Sequence, residues 1–377
     1  MDAKPIPKLG DLAVESRRVL MRVDFNVPLA NGAIRDDTRI RAALPTIDSI
    51  LRRGGRLVLV SHLGRPKGKP APEYSLEPVA ARLAELLDIG EVHLTDSCVG
   101  DGARRVALDL RDGGVALLEN VRFHPGETAN DDHFSRDLAA LGDVYVNDAF
   151  GTAHRAHAST VGVTAFLRER AAGLLLEREV AALGKLLGEV ERPYVAVLGG
   201  AKVSDKIGII ENLLKRVDVL VIGGAMANTF LAASGGTVGR SMVESDRFPL
   251  ARDLMARAES LGVKLLLPVD AVVADAIDSA ETSTVAARAV PEGRSAFDIG
   301  PESVDLFKDV IARAGTVLWN GPMGVFEREP FAAGTLAMAR AIAASAAYSV
   351  VGGGDSVAAV RQSGKERGFD HVSTGGG

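Results

Sequence analysis

The 377-residue chain has one cysteine, Cys98, one tryptophan, Trp319, and only 5% aromatic residues. A lone cysteine excludes an internal disulfide and fits a reducing cytosol. Cys98, near the start of a loop, reads as a small structural residue. No stretch reaches the roughly 18 uninterrupted apolar residues of a membrane span. Met1 to Pro5 lack the apolar core of a signal peptide. Positive charge is not in excess, since 44 Lys and Arg against 49 Asp and Glu give a net charge of -5. That excludes the basic stripe of a nucleic-acid binder. The expectation is a soluble cytoplasmic protein with neither a membrane nor a nucleic-acid partner.

What remains is ordinary globular material, 47% hydrophobic and 25% charged, with no sign of disorder. The length exceeds what one core usually holds and points to two domains. Short runs rich in Val, Leu and Ile predict strands near 18–27, 56–62, 91–94, 114–121 and 143–148. A second series lies near 194–198, 217–222, 264–273, 316–319 and 348–352. They lack strict alternation, the pattern of strands covered on both faces. Helical stretches lie between them, among them 39–53, 76–87, 205–215, 248–261 and 334–347. Alternating strand and helix imply parallel sheets with right-handed crossovers.

Leu176, Val180, Leu183, Leu187 and Val190 space out one apolar helical stripe, and Pro193 ends it. This helix, within 173–191, separates a domain over 1–172 from one over 192–377. The two would face a central cleft and close on ligand. One larger sheet crossed by the same helix is the alternative.

Ligands of open α/β sheets bind beyond the carboxyl ends of the strands, and there the two halves differ. In the first, Arg22, Arg39, Arg65, Arg122 and Arg155 gather at strand ends or a helix start. Singly, each is a solvated side chain or half of a weak ion pair. Together they repel one another unless an anion sits among them, and the guanidinium fork suits phosphate and carboxylate. Asp24 and Asn26 would hold a hydroxyl. His62, beside Arg65, reads as a further phosphate donor. His154 and His157 read equally well as structural, and no clustered third partner supports zinc.

In the second half the strands end in glycine. The stretch from Gly199 and Gly200 to Lys202 and Lys206 places two lysines four apart, on one face of a first helical turn. It is neither a Walker A motif nor a dinucleotide fingerprint. Alone it would be a tight turn with solvated lysines. Gly352, Gly353 and Gly354 form a second turn, with Ser356 as a capping hydroxyl and Asp355 to hold Mg²⁺ against phosphate. Gly223, Gly224 and the stretch from Trp319 through Asn320 and Pro322 to Glu327 would supply a flat slot for a purine and a carboxylate for its ribose.

These motifs, in this order and over essentially the whole chain, resemble the phosphoglycerate kinase family. The stretches are Arg22 to Pro28, Asp37 to Ile40, Ser61 to Pro66, Leu118 to Phe123, Asn147 to Arg155, Gly199 to Lys206, Asp298 to Pro301, Trp319 to Glu327 and Gly352 to Ser356. The resemblance implies two doubly wound, Rossmann-like parallel-sheet domains that close about a hinge. It implies glycolytic, Mg²⁺-dependent phosphoryl transfer between 1,3-bisphosphoglycerate plus ADP and 3-phosphoglycerate plus ATP, by a monomer. By motif position, Asp24, Asn26, His62, Arg65, Arg122 and Arg155 would bind phosphoglycerate in the first domain. Arg39 and Lys202 would stabilise the phosphoryl group in flight, Arg39 also touching the substrate. Gly199, Gly200, Lys206, Gly223, Gly224, Asn320, Pro322, Glu327, Gly353, Gly354, Asp355 and Ser356 would bind ATP or ADP, with Asp355 as the metal ligand.

Such chemistry asks for alignment and charge stabilisation, not a base, because the acceptor is already a carboxylate. The pattern departs from the family at Ala225 and Ala296, where glycine is common. Relatives also continue beyond the Ser373 to Gly377 stretch with a short helix and tail packed on the first domain. A scaffold that kept both sites without turnover is the competing reading. A nicotinamide-dependent dehydrogenase fares worse, lacking Gly-x-Gly-x-x-Gly after the early strands.

Overall fold

The computed structural model describes residues 6–375. Met1 to Pro5, read above as no signal peptide, and Gly376 and Gly377 lie outside the described residues. The chain divides into two units, Met1–Ala181 and Ala182–Gly377.

The first unit is built on six parallel strands in the order His93–Leu94, Val115–Leu117, Arg56–Val60, Arg18–Arg22, Val144–Asn147 and Arg170–Ala172. Its central strands are buried on both faces, which is why they read as unbroken apolar runs. Val19 and Met21 enter one core with Leu57, Leu59 and the Thr38–Arg52 helix, through Ile40, Ala43, Ile47 and Ile50. Leu20, Val58 and Val60 enter the core on the other face. Cys98 is buried in that second core, and desolvation pushes its thiol up to about 12.

The second unit carries six parallel strands ordered Lys264–Leu266, Val219–Ile222, Tyr194–Leu198, Thr316–Asn320, Tyr348–Gly352 and His371–Val372. In chain order this is 3-2-1-4-5-6, the doubly wound arrangement whose direction reverses between its two central strands. Tyr194, Ala196 and Leu198 face one core, Val195 and Val197 the other.

Three expectations need correction. The run at 264–273 is two strands in different sheets. Pro268, with no N–H to give a ladder, separates Lys264–Leu266 from Asp270–Ala274, which pairs antiparallel with Ser283–Ala286 and Ser295–Ile299. The Leu174–Leu187 helix buries Leu175, Leu176, Glu179, Ala182 and Leu186, whereas Val180 and Leu187 are exposed. Its buried stripe runs about one position away from the predicted one, and its two halves belong to different units. Leu9 N donates to Glu177 Oε1 within the first, and Tyr348 Oη donates to the Ala182 carbonyl within the second. Finally, the predicted helix at 205–215 is shorter, Ile207–Leu213.

Candidate active site

Strand register brings the sequence-predicted residues of the first unit to one sheet edge. Arg22 closes its strand opposite Val60 and Asn147, with His62 just beyond the neighbouring strand. The first turn of the Thr38–Arg52 helix carries Arg39, whose Nη1 donates to Asp24 Oδ2 at 3.2 Å and to the Asn26 carbonyl at 3.0 Å. Asn26 Oδ1 accepts from Gly64 N at 2.9 Å, and Arg122 Nη1 donates to the Gly64 carbonyl at 2.7 Å. Both side chains thus brace the 62–65 turn and keep other donors for a ligand. Gly64 itself sits at φ +61 with the Tyr74 ring where a side chain would go.

The field of this edge is strongly positive. Burial first, then the charges of Arg22, Arg122, Arg155 and Arg39, hold the His62 imidazole far below its ordinary value, so it is neutral. Desolvation, with Arg155, Arg22 and Arg65 nearby, lowers the Arg122 guanidinium to about 10. Arg65 is exposed and Arg155 half-exposed, with the Arg155 Nε 3.4 Å from His154 Nε2. Arg22 departs from the expected arginine cup. It is 1% exposed and spends its donors inside the protein, on Ser159, His62 and the Val23 carbonyl. His157 lies 3.7 Å from the buried Glu127 and is structural.

In the second unit, the ends of three adjacent strands interlock. Gly199 N donates to the Asn320 carbonyl, Gly200 N to the Pro322 carbonyl and Gly224 N to the Met323 carbonyl, each at 3.0 Å. A side chain at Gly199 would run into the Pro322 carbonyl, and one at Gly224, at φ +66, would come within 2.6 Å of the Gly200 backbone. These glycines are there because backbone meets backbone, a reason additional to ligand approach.

Above them lies a cavity of about 620 Å³ lined by Gly200, Gly224, Leu231, Phe297, Pro322, Val325, Glu327 and Asp355 among others. Ala225 and Ala296 line it too. Gly199, Gly223, Asn320, Gly353, Gly354 and Ser356 are not in its wall. Gly223 packs on Met323 instead, and Asn320 accepts from Lys206 Nζ while donating to the Gly352 carbonyl. Trp319, expected to help form the slot, is buried in the core, its Nε1–H given to the Gly321 carbonyl. The flat wall comes from Phe297 and the aliphatic residues.

Two further expectations change here. Lys202 and Lys206 precede the Ile207–Leu213 helix and do not share its first turn. Glu244 explains why. Its carboxylate accepts from Val203 N, Ser204 N and Ser204 Oγ and holds this segment as a turn. Lys202 is exposed, whereas desolvation lowers the Lys206 ammonium against the opposing pull of Asp205 and Asp355. Ser356 does not cap the Gly354–Ser363 helix. Its buried Oγ accepts from Gly321 N at 2.6 Å, and no side chain caps that helix, which leaves its first amides for an anion. Asp355 stands in that first turn, exposed and, among the described residues, without a hydrogen-bond partner.

Sequence reasoning missed Glu127, Ser159 and Glu244, each of which acts on partners distant in sequence, so no local pattern marks it. Asp298, which opens one of the motif stretches, backs the cavity and accepts from Ile299 N and Gly334 N, and burial pushes its carboxyl up to about 7.

The profile of the phosphoglycerate kinase family matches residues 9–377. The chain is 55% identical over 370 residues to the phosphoglycerate kinase of Anaeromyxobacter dehalogenans, covering 97% of this chain and 93% of that one. It is 56% identical over 370 residues to that of Moorella thermoacetica, at 98% and 94% coverage. Phosphoglycerate kinase from Coxiella burnetii superposes with a TM-score of 0.88 at 43% identity, over 99% of this chain and 94% of that one. The enzyme from Pyrococcus horikoshii OT3 gives 0.84 at 34% identity, over 98% and 94%. The chain belongs to the phosphoglycerate kinase family.

Proposed function

We propose that the two sheet edges divide one reaction, the first unit holding the phosphoglycerate and the second the nucleotide. The chain is a phosphotransferase of glycolysis with a carboxyl group as acceptor. It interconverts 1,3-bisphosphoglycerate plus ADP and 3-phosphoglycerate plus ATP. The observation that carries the division is the contrast in chemistry. His62, Arg122 and Arg155 feel one another's fields at one edge, and a largely aliphatic cavity ending in Glu327 and Asp355 lies at the other.

In this reading Arg65, Arg122 and Arg155 take the phosphate and carboxylate, and Asp24, Asn26 and His62 orient the hydroxyl-bearing carbon chain. Gly200, Gly224 and Pro322 form the floor for the purine, Gly199 and Gly223 support that floor from beneath, and Glu327 meets the ribose. Lys206, Asn320, Gly353, Gly354 and Ser356 line the path of the phosphates. Arg39 and Lys202 face the transferring group and stabilise the charge spread over its equatorial oxygens. No side chain needs to remove a proton, because the attacking oxygen belongs to a carboxylate.

The residues fit a magnesium ion carried with the nucleotide. Among the described residues no cluster of three or more acidic or histidine side chains forms a metal site, and Asp355 offers one unengaged carboxylate beside the uncapped helix start. One or two carboxylates plus substrate phosphates is the usual magnesium set. When bound, the ion would supply positive charge against the phosphates of the nucleotide. Asp355 would hold it. The same reading has the enzyme work as a cytoplasmic monomer.

The test is a coupled assay of the purified chain with 3-phosphoglycerate, ATP and Mg²⁺. Turnover dependent on all three supports the reading, and binding of both substrates without turnover would replace it with the scaffold.

A further inference from the structure

Behind the substrate-facing side chains of the first unit runs a buried polar chain. Glu127 and its neighbours are sealed in, with Glu127 at 0%, Arg22 at 1%, and Ser159 and His62 at 2% exposure. Ser159 Oγ donates to Glu127 Oε1 at 2.7 Å, and Ser159 N donates to Glu127 Oε2 at 2.9 Å. Arg22 Nε donates to Ser159 Oγ at 2.7 Å, and Arg22 Nη2 lies 3.1 Å from His62 Nδ1. The third Arg22 nitrogen, Nη1, is held by the Val23 carbonyl. Four side chains from sequence-distant segments thus form one connected network. Burying a carboxylate and a guanidinium is costly unless their donors and acceptors are used, and here Ser159 serves both, with the Val23 carbonyl and His62 taking further Arg22 donors.

The direction of the last link is fixed by chemistry. Guanidinium nitrogens only donate, so His62 Nδ1 accepts. A neutral ring that accepts at Nδ1 carries its proton on Nε2. Asp24 Oδ1, 3.8 Å from the same Nδ1, would favour the opposite tautomer but is beyond hydrogen-bond reach. The charged groups around the ring are Arg22, Arg39, Arg122 and Arg155 on one side of the balance and Asp24 on the other.

We propose that Glu127, Ser159 and Arg22 are positioning residues that lock His62 as the neutral Nε2–H tautomer, so that the ring meets a substrate oxygen as a hydrogen-bond donor and not as a cation. Glu127 compensates the Arg22 charge, Ser159 transmits its orientation, and Arg22 assigns the ring proton. Discrimination follows from this arrangement, since a donor of fixed direction recognises an acceptor at one position, whereas an imidazolium would attract any anion. The inference rests on the assignment of His62 to the phosphoglycerate.

Long-range ¹⁵N–¹H correlation spectra of the full-length labelled protein test it. The expected His62 pattern is a protonated Nε2 and an unprotonated Nδ1, unchanged from about pH 6 to 8. A protonated Nδ1 or a charged ring overturns the proposal. In Ser159→Ala the tautomer should mix and KM for 3-phosphoglycerate should rise about tenfold, with KM for ATP within about twofold. Ser159→Thr, which keeps the hydroxyl, should restore both. If Ser159→Ala fails to fold, Glu127→Gln carries the same readouts. Unaltered tautomer and KM in a folded variant overturn the chain. The assignment of His62 is tested separately. Adding 3-phosphoglycerate to the parent should shift the Nε2–H signal, and an unmoved signal with the expected tautomer would remove His62 from the substrate site while leaving the locked ring intact.

Discussion

Arg39 and Lys202 are assigned the same task but are held differently. Arg39 is tied to Asp24 and to the Asn26 carbonyl, whereas Lys202 stands exposed. Replacing either by alanine should lower kcat by about 10²-fold or more with much smaller changes in KM, because the lost interaction is made mainly in the transition state. Their stabilities should differ. Lys202→Ala should leave the melting temperature unchanged, while Arg39→Ala should cost up to about 1 kcal/mol, typical of a partly exposed ion pair. Steady-state kinetics and thermal melts of both variants decide this, and undiminished kcat in either would withdraw its role. At this scale the sequence was informative about placement wherever a candidate residue follows closely on a strand, as His62 and Asp355 do. It was silent on Glu127 and Ser159, which lie 32 residues apart and meet Arg22 only through the fold. It also misjudged Trp319 and Ser356, because a motif names neighbours in the chain without saying which way each side chain turns.

Among elements, the Leu174–Leu187 helix carries an unusual start. Asp148 Oδ1 accepts from Leu175 N and Leu176 N, yet its Oδ2 is, among the described residues, a buried oxygen with no hydrogen-bond partner. Thr46, whose Oγ1 accepts from Leu174 N, lies near enough to ease the charge without satisfying that oxygen. Burial therefore raises the Asp148 carboxyl from 3.8 to about 6. A raised folded-state value means that the protonated acid is the form the fold prefers. Its stabilising contribution is complete below the unfolded value and is lost as pH rises through about 6. Asp148→Asn, which cannot ionise, should gain stability relative to the parent between about pH 4 and 7, by at most about 3 kcal/mol. Parallel melting curves across that interval would show that Asp148 is not the group responsible. Strands buried on both faces, such as Tyr194–Leu198, were legible because nothing polar interrupts them. Arg170–Ala172 and His371–Val372 were not, being two or three residues long at sheet edges. The antiparallel sheet escaped because Ser283–Ala286 is mostly exposed and gives no apolar run.

For the molecule as a whole, a net charge of -5 conceals a strongly positive edge in the first unit, so bulk charge gave no sign of it. Each unit has its own cores, and ligand binding stabilises the unit that makes the contacts. Hydrogen exchange with 3-phosphoglycerate alone should slow amides in the first unit, around 22–26, 61–65 and 120–122. Exchange with Mg²⁺-ADP alone should slow amides around 199–206, 321–327 and 352–356. Protection of the glycine turns by 3-phosphoglycerate alone would contradict the assignment of one substrate to each unit.

The interlocked turns below the nucleotide cavity carry one more implication. Because the backbones at Gly199, Gly224 and Gly321 leave each other no clearance, these three segments behave as a single keystone and cannot adjust one by one. A nucleotide bound there, as proposed, would meet a seat already cut to shape and have little disorder to suppress. The same tightness means that one added methyl in the keystone would unseat all three at once.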